Sequence, residues 1–173
     1  MEHSLGTVVG LLAGLLVSVG LTALLFKTKV LDMHFDERQE LARGVAYKYA
    51  FITLAVSVFA YGSMDVWRWC EPLAGSTICV GVAMVVFAVT CIRKDAYLSL
   101  YEKPRRVMAT FAVVAGVNLV IGWNYAHQGV LVEGGVLTFR AVNPICGVMC
   151  LVILLVYAAR YHGRTRDESE DAE

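Results

Sequence analysis

Five long runs without a charged side chain divide this chain, at residues 5–26, 49–64, 73–92, 107–123 and 144–159, and between them sit clusters of Lys and Arg. A helix needs about 20 apolar residues to cross a hydrocarbon core of about 30 Å, and ~17 suffice when its flanking side chains snorkel. Arg160 closes the shortest run and has a stem long enough to reach back along the lipid. With 58% hydrophobic and 17% charged residues in 173, a soluble fold of this size has nowhere to hide its apolar surface. The expected fold is therefore all-α: a polytopic membrane bundle of five transmembrane helices over residues 1–161, followed by a disordered acidic tail at 162–173.

The first run is not read as a cleaved signal. Its leading residues, Met1-Glu2-His3-Ser4, contain no Lys or Arg, the run is long for a signal core, and Phe26-Lys27-Thr28-Lys29 is no small-residue cleavage site. Orientation follows from the basic residues, which resist translocation. Lys27, Lys29, Arg38, Arg43, Lys48, Arg93, Lys94, Lys103, Arg105, Arg106, Arg160, Arg164 and Arg166 all fall on one side of a five-span arrangement, and only Arg68 and Arg140 on the other. A four- or six-span arrangement scatters these groups over both faces. The expected topology puts the N-terminus outside, the C-terminus in the cytoplasm and the chain in the cell membrane as a multi-pass protein. The formal net charge of zero conceals this polarity.

Within the first run, Gly6, Gly10, Gly14, Ser18 and Thr22 recur at every fourth position. Apolar helices gain little hydrophobic drive from meeting in lipid, so stripes of small residues mark faces where backbones approach. This ladder is either a seam inside the bundle or a face for a second copy or another membrane protein.

Before the second run, Asp36 and Gln39 have the form of an N-cap and its reciprocal partner, so a helix is expected to start near Glu37 and run unbroken into the span. Leu41, Val45 and Tyr49 then share a stripe, and Glu40 and Arg43 are placed to pair. The charged turn of Glu37, Arg38, Glu40 and Arg43 is a candidate cytoplasmic docking helix, or an interfacial collar with Tyr47, Lys48 and Tyr49 at headgroup level. Residues 93–106 mix five basic groups with Tyr97, Leu98, Leu100 and Tyr101, a composition suited to lying along anionic headgroups. Pro104 suits the first turn of the next helix.

On the other side, residues 130–139 read as a β-hairpin on a Gly134-Gly135 turn, with Val132 facing Leu137 and Val130 facing Phe139. A lone hairpin is marginal in water, so it must rest on something: as a lid over a ligand site, or as a cap on the bundle. Trp67, Trp69, Trp123 and Tyr125 stand where an outer aromatic belt belongs. Trp69, Asn118 and Trp123 are the candidate lining of a small-molecule pocket beneath the hairpin.

Candidate chemistry is sparse. The five cysteines show no Cys-x-x-Cys spacing, although Cys70 and Cys146 are close enough to one side to form a disulfide, and His3, Glu71 and His127 to gather around a metal. No nucleophile and base pair, phosphate loop or mid-span ionisable residue of the kind proton-coupled carriers use is found. No catalytic, metal or cofactor residues are assigned. The expected role is non-enzymatic, with the lipid bilayer, a protein partner or a second copy as binding partners and no nucleic acid.

The stretch Phe35-Asp36-Glu37-Arg38-Gln39-Glu40-Leu41-Ala42-Arg43-Gly44, leading into an aromatic-rich span, resembles a signature in small uncharacterised bacterial multi-span membrane proteins. That resemblance implies a bacterial cytoplasmic membrane and carries no functional residues. In size and hydrophobicity the chain is also similar to the substrate-binding membrane subunits of energy-coupling vitamin importers, although those typically have six spans and five are read here. Two readings follow: an accessory or regulatory protein acting through the glycine ladder and the 37–43 helix, or a small-molecule binding or transport component.

Overall fold

A computed structural model gives the fold and describes Leu16, Gly20 and residues 34–64, 68–100 and 103–170, with side chains as far as Tyr161. The chain divides into two units, Met1–His34 and Phe35–Glu173. In the first, Leu16 and Gly20 are helical. The glycine ladder of Gly6, Gly10, Gly14, Ser18 and Thr22 lies outside the described residues, as do His3, Trp67 and Tyr101. The second unit is mostly helical and contains α1 (Glu37–Met64), α2 (Pro72–Arg93), α3 (Pro104–His127), the strands β1 (Val132–Glu133) and β2 (Val136–Leu137), a 3-10 turn (Phe139–Ala141) and α4 (Val142–Glu170).

All four of these helices are long and apolar enough to cross a membrane. At about 1.5 Å per residue, the shortest, with 22 residues, is ~33 Å long. Their ends follow local chemistry. Asp36 Oδ1 accepts from the Gln39 N–H at 2.6 Å while Gln39 Oε1 accepts from the Asp36 N–H at 3.2 Å, so α1 opens on the reciprocal cap its sequence announces and runs unbroken through the second apolar run. Pro72 and Pro104 open α2 and α3, where a missing N–H costs nothing. Helix α4 continues to Glu170, beyond the apolar run, where a disordered tail is expected from 162. No proline interrupts 162–170, and extending a helix already nucleated inside a span is far easier than starting one.

The packed helix pairs are α1 with α2, α2 with α4, and α4 with α3, in the spatial order α1–α2–α4–α3. Helix α2 is the central element: 39% of its most apolar stretch is buried, against 6% in α1, 11% in α3 and 17% over Phe139–Tyr161. The buried side chains are small, chiefly Ala46, Ala74, Cys79, Ala83, Ala88, Cys91 and Ala115, whereas Phe59, Val113 and Val120 face outward. This inversion of a soluble core follows from the solvent: large apolar groups gain nothing by leaving lipid, while small ones let backbones close.

Glycines mark where the closest approaches occur. A methyl group on Gly75 would strike the Tyr61 ring, one on Gly81 the Met149 thioether, one on Gly122 Pro144 Cβ at 2.6 Å, and one on Gly147 Leu119 Cγ at 2.8 Å. These four positions serve the three seams in turn. A satellite cluster of Ala88, Ile92 and Ile153, with Val85, Tyr97, Phe111, Val156 and Tyr157 around it, closes the α2–α4–α3 side at the end where the basic loops lie.

At the opposite end the expected hairpin forms. Val132 pairs with Leu137 and Glu133 with Val136, in the register read from sequence. Gly134 and Gly135 take φ of 58° and 83°, the two positive values a two-residue type I′ turn demands. The ladder ends there, so Val130 and Phe139 do not extend it: the Thr138 N–H and hydroxyl instead bond back to the Leu131 and Val130 carbonyls at 2.9 and 2.8 Å. What the hairpin rests on is the link between α1 and α2. The Leu137 N–H donates to Trp69 O, the Glu71 N–H to Leu137 O, and the Phe139 N–H to Glu71 Oε2 at 2.7 Å, so residues 69–71 act as a third short strand. Arg140 and Glu133 form a salt bridge over its outer side at 2.9 Å. The hairpin is a cap tied to the bundle.

Filling a seam should break it. Gly81→Leu is expected to cost about 1–3 kcal/mol through overpacking against Met149, read as a lowered unfolding midpoint of the detergent-solubilised protein. Gly116→Leu, where nothing lies within 4 Å of the added atom, should leave the midpoint within experimental error.

Candidate docking surface at the basic end

The end of the bundle that gathers Arg38, Arg43, Lys94, Lys103, Arg105 and Arg160 is organised by the turn that closes α2. Asp95 has a φ of 54°, in the left-handed region. Its N–H bonds to Ile92 O at 3.2 Å and the Ala96 N–H to Cys91 O at 2.8 Å, the pair of bonds that defines a Schellman C-cap with Asp95 in the position glycine usually holds. Aspartate tolerates this conformation better than most side chains. Here each part of it has a partner: the carboxylate meets Arg160 of α4 at 3.2 Å, and the carbonyl accepts from Gln39 Nε2 of α1 at 3.0 Å. Three helices thus meet on one residue.

Gln39 carries most of this junction. It is buried, its backbone and Oε1 complete the α1 cap, and its Nε2 reaches both the Asp95 and Leu98 carbonyls, the latter at 3.3 Å. One turn on, Arg43 donates to Ala96 O at 3.2 Å and lies over the Phe35 ring at 4.0 Å, with the Phe87 ring at 5.4 Å. This differs from the pairing with Glu40 that the spacing allows. The guanidinium turns instead toward a carbonyl and two aromatic faces, where several partners act together out of bulk water. Of the four candidate docking residues, then, Arg43 is an internal clamp, while Glu37, Arg38 and Glu40 are exposed.

Holding Gln39 and Arg43 inward fixes what points outward. Leu41 is 69% exposed and lines a shallow surface groove of about 350 Å³ together with Arg38, Ala42, Val45 and Lys94. Two cations from separate helices therefore flank a strip of three apolar side chains. Neither Arg38 nor Lys94 has an ion-pair partner among the described residues. A segment that offers an apolar side chain beside carboxylates has both the shape and the charge to fit.

The alternative lining does not converge. Trp69 packs edge-on against Tyr61 at 6.0 Å, Trp123 is two-thirds exposed and packs edge-on against His127 at 4.6 Å, and the Asn118 amide donates to Val114 O on its own helix at 2.9 Å. The Trp69 Nε1–H is buried with no acceptor among the described residues. An apolar cavity of about 580 Å³ opens elsewhere, lined from all four helices by residues that include Phe51, Met84, Phe111 and Met149. No periodicity announces it, because its walls belong to helices that meet only once the seams are set. No disulfide joins Cys70 to Cys146. Glu71 is engaged by the hairpin and His127 by Trp123.

Searches of known protein families, curated proteins and solved structures find no match to this chain.

Replacing Gln39 by Leu keeps its bulk and removes its three side-chain hydrogen bonds, leaving the backbone N–H on Asp36 Oδ1. The expected cost is about 1–3 kcal/mol, because buried carbonyls and the α1 cap lose their partners. Trypsin cleavage after Arg93 and Lys94 in vesicles open at that face should accelerate in step, and an unchanged cleavage rate would separate the cap from the loop.

Proposed function

We propose that this protein is a non-enzymatic accessory or regulatory membrane protein that docks another protein on the groove of Arg38, Leu41, Ala42, Val45 and Lys94. The observation that carries this reading is the clamp: Gln39 and Arg43 hold the first turns of α1 rigid while leaving Arg38 and Leu41 exposed beside Lys94. A loose interfacial collar needs no such fixation. The complementary surface is an apolar side chain flanked by Asp or Glu on a membrane-bound or cytoplasmic partner. In the proposed arrangement the first apolar run supplies a fifth span, the N-terminus is outside, and the basic end with this groove is cytoplasmic. The clustering of basic residues supports that orientation, and the resemblance of 35–44 supports a bacterial cytoplasmic membrane. The ladder of Gly6, Gly10, Gly14, Ser18 and Thr22 is a second candidate contact face, for a partner span or another copy.

One observation favours a second reading, a small-molecule binding or transport component. The cavity of about 580 Å³ is almost wholly apolar in its lining and would suit a lipophilic molecule. Trp69, Asn118 and Trp123 lie outside that lining.

Two experiments test this account. Maleimide labelling of single cysteines in right-side-out vesicles should modify position 134 and spare position 94; labelling of 94 instead would reverse the orientation. Cross-linked pull-down of the tagged protein from its native membrane should recover a stoichiometric partner that is lost in Arg38→Glu and in Lys94→Glu. Gly10→Leu reports on the ladder in the same assay. Recovery of this protein alone, with a lipophilic molecule in the purified sample, would favour the second reading.

A further inference from the structure

Between the start of α3 and the last apolar turns of α4 lies another groove, of about 610 Å³, that the docking surface does not use. It is lined by the apolar Met108, Leu154 and Ala158 and, toward the basic end of the two helices, by Lys103, Arg105, Tyr157 and Tyr161. Two features identify its occupant. The first is shape: the space is far larger than the roughly 30 Å³ of one water or small ion, and its walls are apolar side chains of membrane-spanning helices. The second is charge: the two charged side chains lining it are both cations, neither has an ion-pair partner among the described residues, and both flank Pro104, where the apolar run of α3 is about to begin. Arg160, the nearby cation of α4, is turned away toward Asp95. The α3 terminus has no side-chain cap, so the positive end of its dipole adds to the same field.

We infer that this groove binds one anionic phospholipid, with an acyl chain along Met108, Leu154 and Ala158 and the phosphate between Lys103 and Arg105. Basic pockets between spanning helices select anionic headgroups because each cation adds attraction at a depth where water is scarce. A free phosphate would use the mouth and leave the groove empty, and a zwitterionic lipid would fill the groove but bring its own ammonium to the cations. Only an anionic lipid satisfies both halves. This site lies on different helices from the docking groove and stands or falls independently of it.

The test uses the full-length protein in nanodiscs of phosphatidylcholine doped with phosphatidylglycerol of the same chains, released into native mass spectrometry to count retained lipids. The wild type should keep one phosphatidylglycerol preferentially, and millimolar inorganic phosphate should not displace it. Lys103→Gln with Arg105→Gln should weaken that retention by roughly 30-fold, at about fivefold for each cation removed. Ala158→Phe, which fills the groove without touching a charge, should weaken it as well, and Arg68→Gln at the hairpin end should not. Folding of every variant is checked by its unfolding midpoint. Equal retention of the two lipids, displacement by phosphate, an equal loss in Arg68→Gln, or full retention in Ala158→Phe would each overturn the assignment.

Discussion

Helices in lipid must be held together by contact, because the solvent around them is as apolar as they are. Everything else in the described bundle depends on how α2 meets that requirement. Gly75 yields to Tyr61, Gly81 to Met149, and on the adjoining seam Gly122 and Gly147 yield to Pro144 and Leu119, so each neighbouring backbone comes in over a missing side chain. The large residues are displaced to the outside, where Phe59 and Val120 stand well exposed. The seams also explain the cavity. The helices pack in the order α1–α2–α4–α3, and a cavity lined by residues of all four remains open between them.

The ion pairs among the described residues lie at the two ends, and each end is tied by a residue with several simultaneous partners. At the hairpin end Glu71 joins the α1–α2 link to the chain leading into α4 through its backbone and its carboxylate. At the basic end Asp95 and Gln39 join α1, α2 and α4. Backbone carbonyls of a packed loop are costly when left without a donor, and Gln39 satisfies two of them, on Asp95 and Leu98, at once. The functional reading grows from this economy. Side chains used inside the junction cannot also face a partner, and those left outside, Arg38, Leu41 and Lys94, form one patch.

Local signals in the sequence predicted local structure well. The Asp36–Gln39 box marks the start of α1, Pro104 the start of α3, and the Gly134-Gly135 pair the hairpin and its register, because each depends on residues within a few positions of one another. What the sequence concealed is non-local. Nothing near Gln39 indicates that its amide will reach carbonyls 56 and 59 residues away. Arg43 has a suitable carboxylate one turn back, yet turns to Ala96, Phe35 and Phe87, whose nearness depends on how α1 lies on α2. The packing glycines lack the four-residue repeat of the first apolar run because they serve three seams on different helix faces. Trp69, Asn118 and Trp123 share a place beneath the hairpin in the sequence, and that place does not say which way each helix is rotated.

The packing order around α2 is the claim on which both grooves and the junction rest. Disulfide trapping in native membranes tests it most directly, in a chain whose five cysteines are replaced by alanine. Gly81→Cys with Met149→Cys should cross-link within one chain under mild oxidation, since these positions touch across the α2–α4 seam. Phe59→Cys with Val120→Cys, on outward faces of α1 and α3, should not. Efficient trapping of the second pair and none of the first would contradict the arrangement.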